Sequence, residues 1–199
     1  MSLNEQEKLW SGSFGSSYTQ RNPGSPTGDR IFWERALDKT GTITTVLELG
    51  ANKGNNIRAL RRHLPLAQLD GFEINPEAFK QLELVADESR CGSILDFQPS
   101  RTWDLVFTKG VLIHIAPSDL DKAVRVLYEA SCKYILISEY FNERPVEIKY
   151  RGIDGALWKR DFGEFLLNQY PGLKCVDYFF WWRHDRHPQD NITTWIFQK

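Results

Sequence analysis

The sequence predicts an α/β chain built on a mostly parallel seven-stranded sheet that ends in an antiparallel hairpin. Three observations predict it. In Val46-Leu47-Glu48-Leu49-Gly50-Ala51-Asn52-Lys53-Gly54-Asn55-Asn56 an apolar strand with an acidic end runs through a Gly-containing turn into a helix, which is how α/β sheets build a ligand seat at the carboxyl end of the first strand. Strand and helix patterns then alternate, as in a parallel sheet covered on both faces. The last two strand patterns are joined only by a short polar loop, which permits an antiparallel pair but no parallel crossover.

The elements follow in order. Residues 10–28 are rich in Gly, Ser, Pro and aromatics and read as irregular. Apolar periodicity predicts a helix over 31–39. Strand one is 45–49, and the helix 56–63 after it is stopped by Pro65. Strand two is 68–73, followed by a helix at 76–85. Strand three is a short run at 92–95. Strand four, 103–108, leads to a helix at 120–131, and strand five is 133–139. A helix at 161–169 precedes the closing strands, 174–182 and 193–198.

Composition narrows the function. The 199 residues fit one domain with a full core. The hydrophobic share of 41% is that of an ordinary folded chain. Lys+Arg is 25 and Asp+Glu 26, so no basic excess calls for a nucleic-acid partner. The polar, acidic start Met1-Ser2-Leu3-Asn4-Glu5-Gln6-Glu7 is not a signal peptide, and the apolar runs are too short for a membrane span. Cys91, Cys132 and Cys175 have neither disulfide nor metal-ligand spacing, so reduced thiols, a cytoplasmic location and no metal are expected.

The turn decides the ligand. A dinucleotide seat needs G-x-G-x-x-G, because backbone must approach a pyrophosphate. Here those positions read Gly50, Asn52 and Asn55. What remains is E-x-G-x-N-x-G over Glu48, Gly50, Asn52 and Gly54. That resembles motif I of the class I S-adenosylmethionine (SAM) dependent methyltransferases, with Asn52 in place of the middle glycine. Asn is among the residues that most readily adopt positive φ, so the turn survives the change. Glu73 closes strand two about 20 residues after the turn, where an acid hydrogen-bonds ribose hydroxyls. A carboxylate suits a vicinal diol because it accepts two hydrogen bonds at once. Glu48 places negative charge where a cationic ligand group is favoured.

The resemblance implies further residues and a Rossmann-like fold. It implies that Ile74 lies beside the ribose acid and that Ser93 and Ile94 hold the adenine, although many such enzymes carry an acid in place of Ser93. It implies that Thr108, Lys109 and Gly110 wall the methionine end of SAM, and that the segment 1–30 folds over the cofactor as a lid through Trp10 and Tyr18. His114 and Glu139 are the candidate general bases.

Over nearly its full length the chain resembles the pseudaminic acid biosynthesis-associated methylases. The shared blocks are Leu9-Trp10-Ser11-Gly12-Ser13-Phe14-Gly15, Gly71-Phe72-Glu73-Ile74-Asn75, Lys109-Gly110-Val111-Leu112-Ile113-His114-Ile115, Tyr150-Arg151-Gly152 and Lys159-Arg160-Asp161-Phe162. This implies methyl transfer to an oxygen or nitrogen of a small acceptor, an acidic amino sugar or sugar nucleotide, with S-adenosylhomocysteine as product. The acceptor side is expected in the loop 140–160 and after strand six, with Tyr140, Arg151, Lys159, Arg160 and Arg183 as candidates, because guanidinium groups bind carboxylate and phosphate bidentately. A SAM-binding sensor or partner subunit without transferase activity would carry the same cofactor motif. A nicotinamide oxidoreductase is disfavoured by the missing glycines and the terminal hairpin.

Overall fold

The structure, a computed structural model, describes residues 3–199. It divides into two compact units, split after Gln98. The main sheet has seven strands.

The first unit begins with two helices, α1 (Glu5–Ser11) and α2 (Ser13–Arg21), in the stretch read as irregular. Gly and Ser weigh against helix there, but local caps and tertiary ties outweigh the propensity. Asn4 and Glu7 form a reciprocal capping box that starts α1. Residues 1 and 2, part of the polar start and of the expected lid, lie outside the described residues. Helix α3 (Pro26–Leu37) starts earlier than its periodicity suggests, with Pro in its first turn. It buries Phe32 and Trp33 completely, and a side chain of that size contributes about 1.5–3 kcal/mol when buried.

Strand β1 (Thr45–Leu49), helix α4 (Asn55–His63) and strand β2 (Gln68–Glu73) lie within a residue of expectation. Helix α5 (Pro76–Leu82) ends three residues early. Strand β3 is Glu88–Cys91, not 92–95. Its Glu-Ser-Arg-Cys sequence is polar and mostly exposed at the sheet edge, so it has no apolar alternation to reveal it. The apolar Ile94 that suggested a strand is instead buried in the turn that follows. The three strands pair in parallel, β1 with β2 and β2 with β3. Their carboxyl ends therefore lie side by side.

The second unit starts with β4 (Trp103–Lys109), followed by a 3-10 turn at Leu112–His114. Helix α6 (Leu120–Ala130) and strand β5 (Ser131–Glu139) come next. The loop 140–160 contains a ribbon that the sequence did not reveal, β6 (Val146–Glu147) paired antiparallel with β7 (Trp158–Lys159). Two-residue strands are too short to carry a periodic signal. Helix α7 (Phe162–Gln169) precedes β8 (Lys174–Trp181) and β9 (Ile192–Gln198). Strand β5 is parallel to β4 and antiparallel to β9, which is antiparallel to β8. The closing pair is the antiparallel hairpin expected. Among the described residues no helix is long and apolar enough to cross a membrane.

Gly15 lets the first two helices approach closely. A Cβ there would lie 1.9 Å from the Trp10 carbonyl oxygen and 2.8 Å from Asn75 Nδ2. Gly15→Ala is expected to destabilise this packing by about 1–3 kcal/mol, seen as faster amide exchange confined to residues 5–21. Unchanged exchange there would refute the tight docking.

Candidate functional site

The turn after β1 is built on three positive φ angles, Gly50 at 79°, Asn52 at 48° and Gly54 at 79°. Asn52 thus adopts the left-handed conformation expected of it. Gly54 is required twice, because a Cβ at that position would also lie 2.6 Å from Val85 Cγ2. Gly50 and Ala51 donate their N–H groups to the Phe72 carbonyl at 2.8 and 2.9 Å. Asn52 N–H donates to Glu73 Oε2 at 2.7 Å, and Asn75 N–H to Glu73 Oε1 at 2.7 Å. Glu73 is buried at the end of β2. Burial pushes its pKa up, and the N–H groups of Asn75, Asn52 and Ile74 oppose that rise. A carboxylate offers about four lone-pair sites, so with three N–H donors it still has acceptor capacity. Half-buried Ile74 sits between Glu73 and Asn75.

Glu48 is buried at the penultimate position of β1. Its Oε1 accepts from Asn56 Nδ2 at 2.6 Å, and Asn56 Oδ1 accepts from Trp33 Nε1 at 3.3 Å. The carboxylate is thereby fixed to the start of α4.

Helices α1 and α2 are tied to the carboxyl end of every strand in this unit. Thr19 Oγ1 accepts from Asn52 Nδ2 at 2.9 Å, after β1. The carbonyls of Trp10 and Gly12 accept from Asn75 Nδ2 at 2.9 and 3.2 Å, after β2. Ser93 Oγ donates to Glu7 Oε1, after β3. Trp10 packs edge-on against Phe14 and Tyr18, both at 5.3 Å. Asn75 also caps α5, its Oδ1 accepting from Glu77 and Ala78. Sequence reasoning missed Glu7, Thr19 and Asn75. The spacing Asn4-x-x-Glu7 and the Asn75-Pro76 helix start were visible signals, but they report helix ends and say nothing of long-range partners.

In the second unit, Thr108 is fully buried in β4 and Lys109 ends the strand. Gly110 has φ 70°, and a Cβ there would project into open space. Glu139, completely buried at the end of β5, accepts from the N–H groups of Val111 and Leu112 at 3.0 Å and of Ile113 at 3.3 Å. Burial pushes its pKa up to about 7 against those hydrogen bonds. His114 is buried too, and burial lowers its pKa to about 4. Its Nδ1 lies 2.7 Å from the Ala156 carbonyl. A carbonyl only accepts, so Nδ1 carries the proton and Nε2 keeps a lone pair.

The expected acceptor residues fall into separate settings. Arg151, itself at φ 51°, places its guanidinium 5.9 Å from the Tyr150 ring, which lies 5.3 Å from the His114 ring. Lys159 Nζ lies 5.3 Å over the Tyr140 ring, and Tyr140 Oη donates to Asp190 at 2.7 Å. Arg160 covers the Phe165 ring at 4.1 Å and feels the negative charges of Asp121, Glu164 and Asp161. Arg183 is on an exposed loop, with Nε 3.1 Å from His184 Nε2.

No family model and no curated protein sequence matches the chain. Solved structures do. Magnesium protoporphyrin IX methyltransferase from Synechocystis PCC 6803, with SAM bound, superposes with a TM-score of 0.70 at 12% identity, covering 100% of this chain and 98% of that one. An amino pentose methyltransferase from Micromonospora echinaspora, also with SAM bound, gives 0.66 at 11%, covering 100% and 98%. A mitomycin 7-O-methyltransferase gives 0.72 at 16%, covering 98% of this chain and 61% of that one. The fold is that of the class I SAM-dependent methyltransferases.

The two buried titratable groups of the second unit make opposite demands on pH. Glu139 binds its proton more tightly folded than unfolded, so its contribution to stability falls as pH rises from about 4.5 to about 7. His114 binds its proton less tightly folded, so its contribution is lost as pH falls from about 6.5 to about 4. Each amounts to something on the order of 3 kcal/mol, and they oppose one another. Glu139→Gln is therefore expected to make stability drop more steeply on acidification than in the unaltered protein, in urea titrations at pH 4.5 and 6.5. Parallel pH profiles for the two would contradict this assignment.

Proposed function

We propose that this chain is a SAM-dependent methyltransferase acting on an oxygen or nitrogen of a small acceptor. The observation that carries the reading is the buried Glu73 carboxylate, at the carboxyl end of β2, gripping the open turn after β1 through Asn52. The donor set suits the cofactor. Glu73 retains acceptor capacity for a ribose diol, and Glu48 supplies negative charge toward a sulfonium and an amino group. The left-handed Gly50, Asn52 and Gly54 keep the turn open. The SAM bound in solved methyltransferases of this fold agrees with this reading.

When bound, SAM supplies a methyl group activated for in-line displacement. The chain's own residues position and dry the site. We read α1 and α2, with Trp10 and Tyr18, as the lid that excludes water. Thr108, Lys109 and Gly110 wall the methionine end. Glu139 acts as a positioning residue, because its oxygens accept from the three N–H groups that shape the 111–113 turn. His114 is neutral at pH 7, with its proton on Nδ1. It suits an amine acceptor that sheds its proton readily, since a base this weak helps a hydroxyl little.

For the acceptor we infer an acidic amino sugar or its conjugate of the pseudaminic acid type. The sequence resemblance and the amino pentose methyltransferase likeness support a sugar. The pairs Tyr150–Arg151 and Tyr140–Lys159 offer an aromatic face beside a cation, which suits a sugar ring carrying an anionic group. Arg160 is the weakest of the expected anion binders, since it stacks on Phe165 and the charges of Asp121, Glu164 and Asp161 already act on it. Arg183 stays with it as a secondary candidate.

Calorimetric titration is expected to show micromolar binding of SAM and S-adenosylhomocysteine and none of NAD, with Glu73→Ala weakening both sulfur ligands about 100-fold or more. NAD binding, or no effect of Glu73→Ala, would remove the assignment. Arg151→Ala and Lys159→Ala are expected to raise KM for an acidic sugar acceptor about tenfold with kcat little changed, and Arg160→Ala to leave KM in place. A KM unmoved by either of the first two would exclude these groups as the anion site.

A further inference from the structure

We propose that Glu7, on the N-terminal helix, reads the exocyclic amine of the cofactor's base. This rests on the SAM reading of the first unit and deepens it. Strands β1, β2 and β3 are parallel neighbours, and a nucleoside in such a sheet lies across their carboxyl ends. Glu73 takes the ribose at the end of β2, so the base lies one strand further out, over the turn after β3. That turn has an apolar wall. Phe72, Phe97 and Ile94 are all buried, and the two Phe rings are 4.7 Å apart.

The polar group beside this wall is not supplied by the turn alone. Ser93 is buried. Its Oγ accepts from Leu95 N–H at 3.0 Å and gives its one proton to Glu7 Oε1. The Ser93 hydroxyl therefore has no proton left, and it serves to aim the Glu7 carboxylate. Glu7 Oε2 accepts from Asn4 N–H at 2.6 Å. With two of its roughly four lone-pair sites taken, the carboxylate still accepts hydrogen bonds and cannot donate. It favours a base bearing an amine and repels one bearing a carbonyl at that edge. Because Glu7 rides on α1, base recognition and closure of α1 and α2 become a single event.

The test compares affinities of S-adenosylhomocysteine and S-inosylhomocysteine, which has a carbonyl in place of the amine. The protein is expected to prefer the adenine ligand by at least about tenfold, and Glu7→Gln to reduce the preference below about threefold, since an amide both donates and accepts. Gln also preserves the capping box, so α1 survives the change. Equal weakening of both ligands by Glu7→Gln, with the ratio retained, would mean that Glu7 only anchors the helix, and the inference would fall while the cofactor reading stood. No preference in the unaltered protein would also overturn it. Failure of the unaltered protein to bind S-adenosylhomocysteine would bring down the cofactor reading and this inference with it.

Discussion

The architecture of the first unit depends on one buried carboxylate, Glu73. An ionised or neutral carboxyl group buried without partners is costly, so its oxygens must find donors. They find them in the N–H groups of Asn52 and Asn75, each a charge-assisted bond of about 1.5–3 kcal/mol when the group is ionised. The turn after β1 is consequently held at the end of β2. Asn52 does more than bend the chain. Its backbone holds Glu73 and its side chain holds Thr19, so a single residue joins the strand-end acid to helix α2. Glycine in its place would permit the same φ but would lose the second tie.

The second unit uses the same device. Glu139 ends β5 as Glu73 ends β2, and each grips the loop that leaves the neighbouring parallel strand, β4 and β1 respectively. A strand-end glutamate reaches that loop naturally, because paired parallel strands deliver their carboxyl ends side by side. Each accepts from three backbone N–H groups, those of Asn52, Ile74 and Asn75 for Glu73 and those of Val111, Leu112 and Ile113 for Glu139. In the proposed methyltransferase the first takes the ribose, while the second shapes the 111–113 turn.

Much of the site was legible because its signals are local. Strand-turn-helix punctuation at 46–56, the positive φ of Asn52 and the spacing to Glu73 are properties of short segments. The missed features are those with distant partners. Residues 10–28 read as irregular because Gly and Ser lower helix propensity, yet Asn75 and Asn52, far along the chain, make the ties that hold α1 and α2. Strand β3 was displaced because an exposed edge strand needs no apolar alternation. The roles of Arg160 and Glu139 were hidden for the same reason: charge type is visible in a sequence, and the three acids acting on one or the three amides around the other are not.

The sequence by itself determined the alternation of strands and helices, the closing antiparallel pair and the residue types at the strand ends, since these follow from periodicity, turn chemistry and short spacing. Only the tertiary structure decided which backbone N–H groups each strand-end acid holds. It alone brought Glu7 to Ser93 across 86 positions of chain. Hydrogen-bond satisfaction of a buried group depends on everything that surrounds it in space, and no local stretch of sequence contains that information.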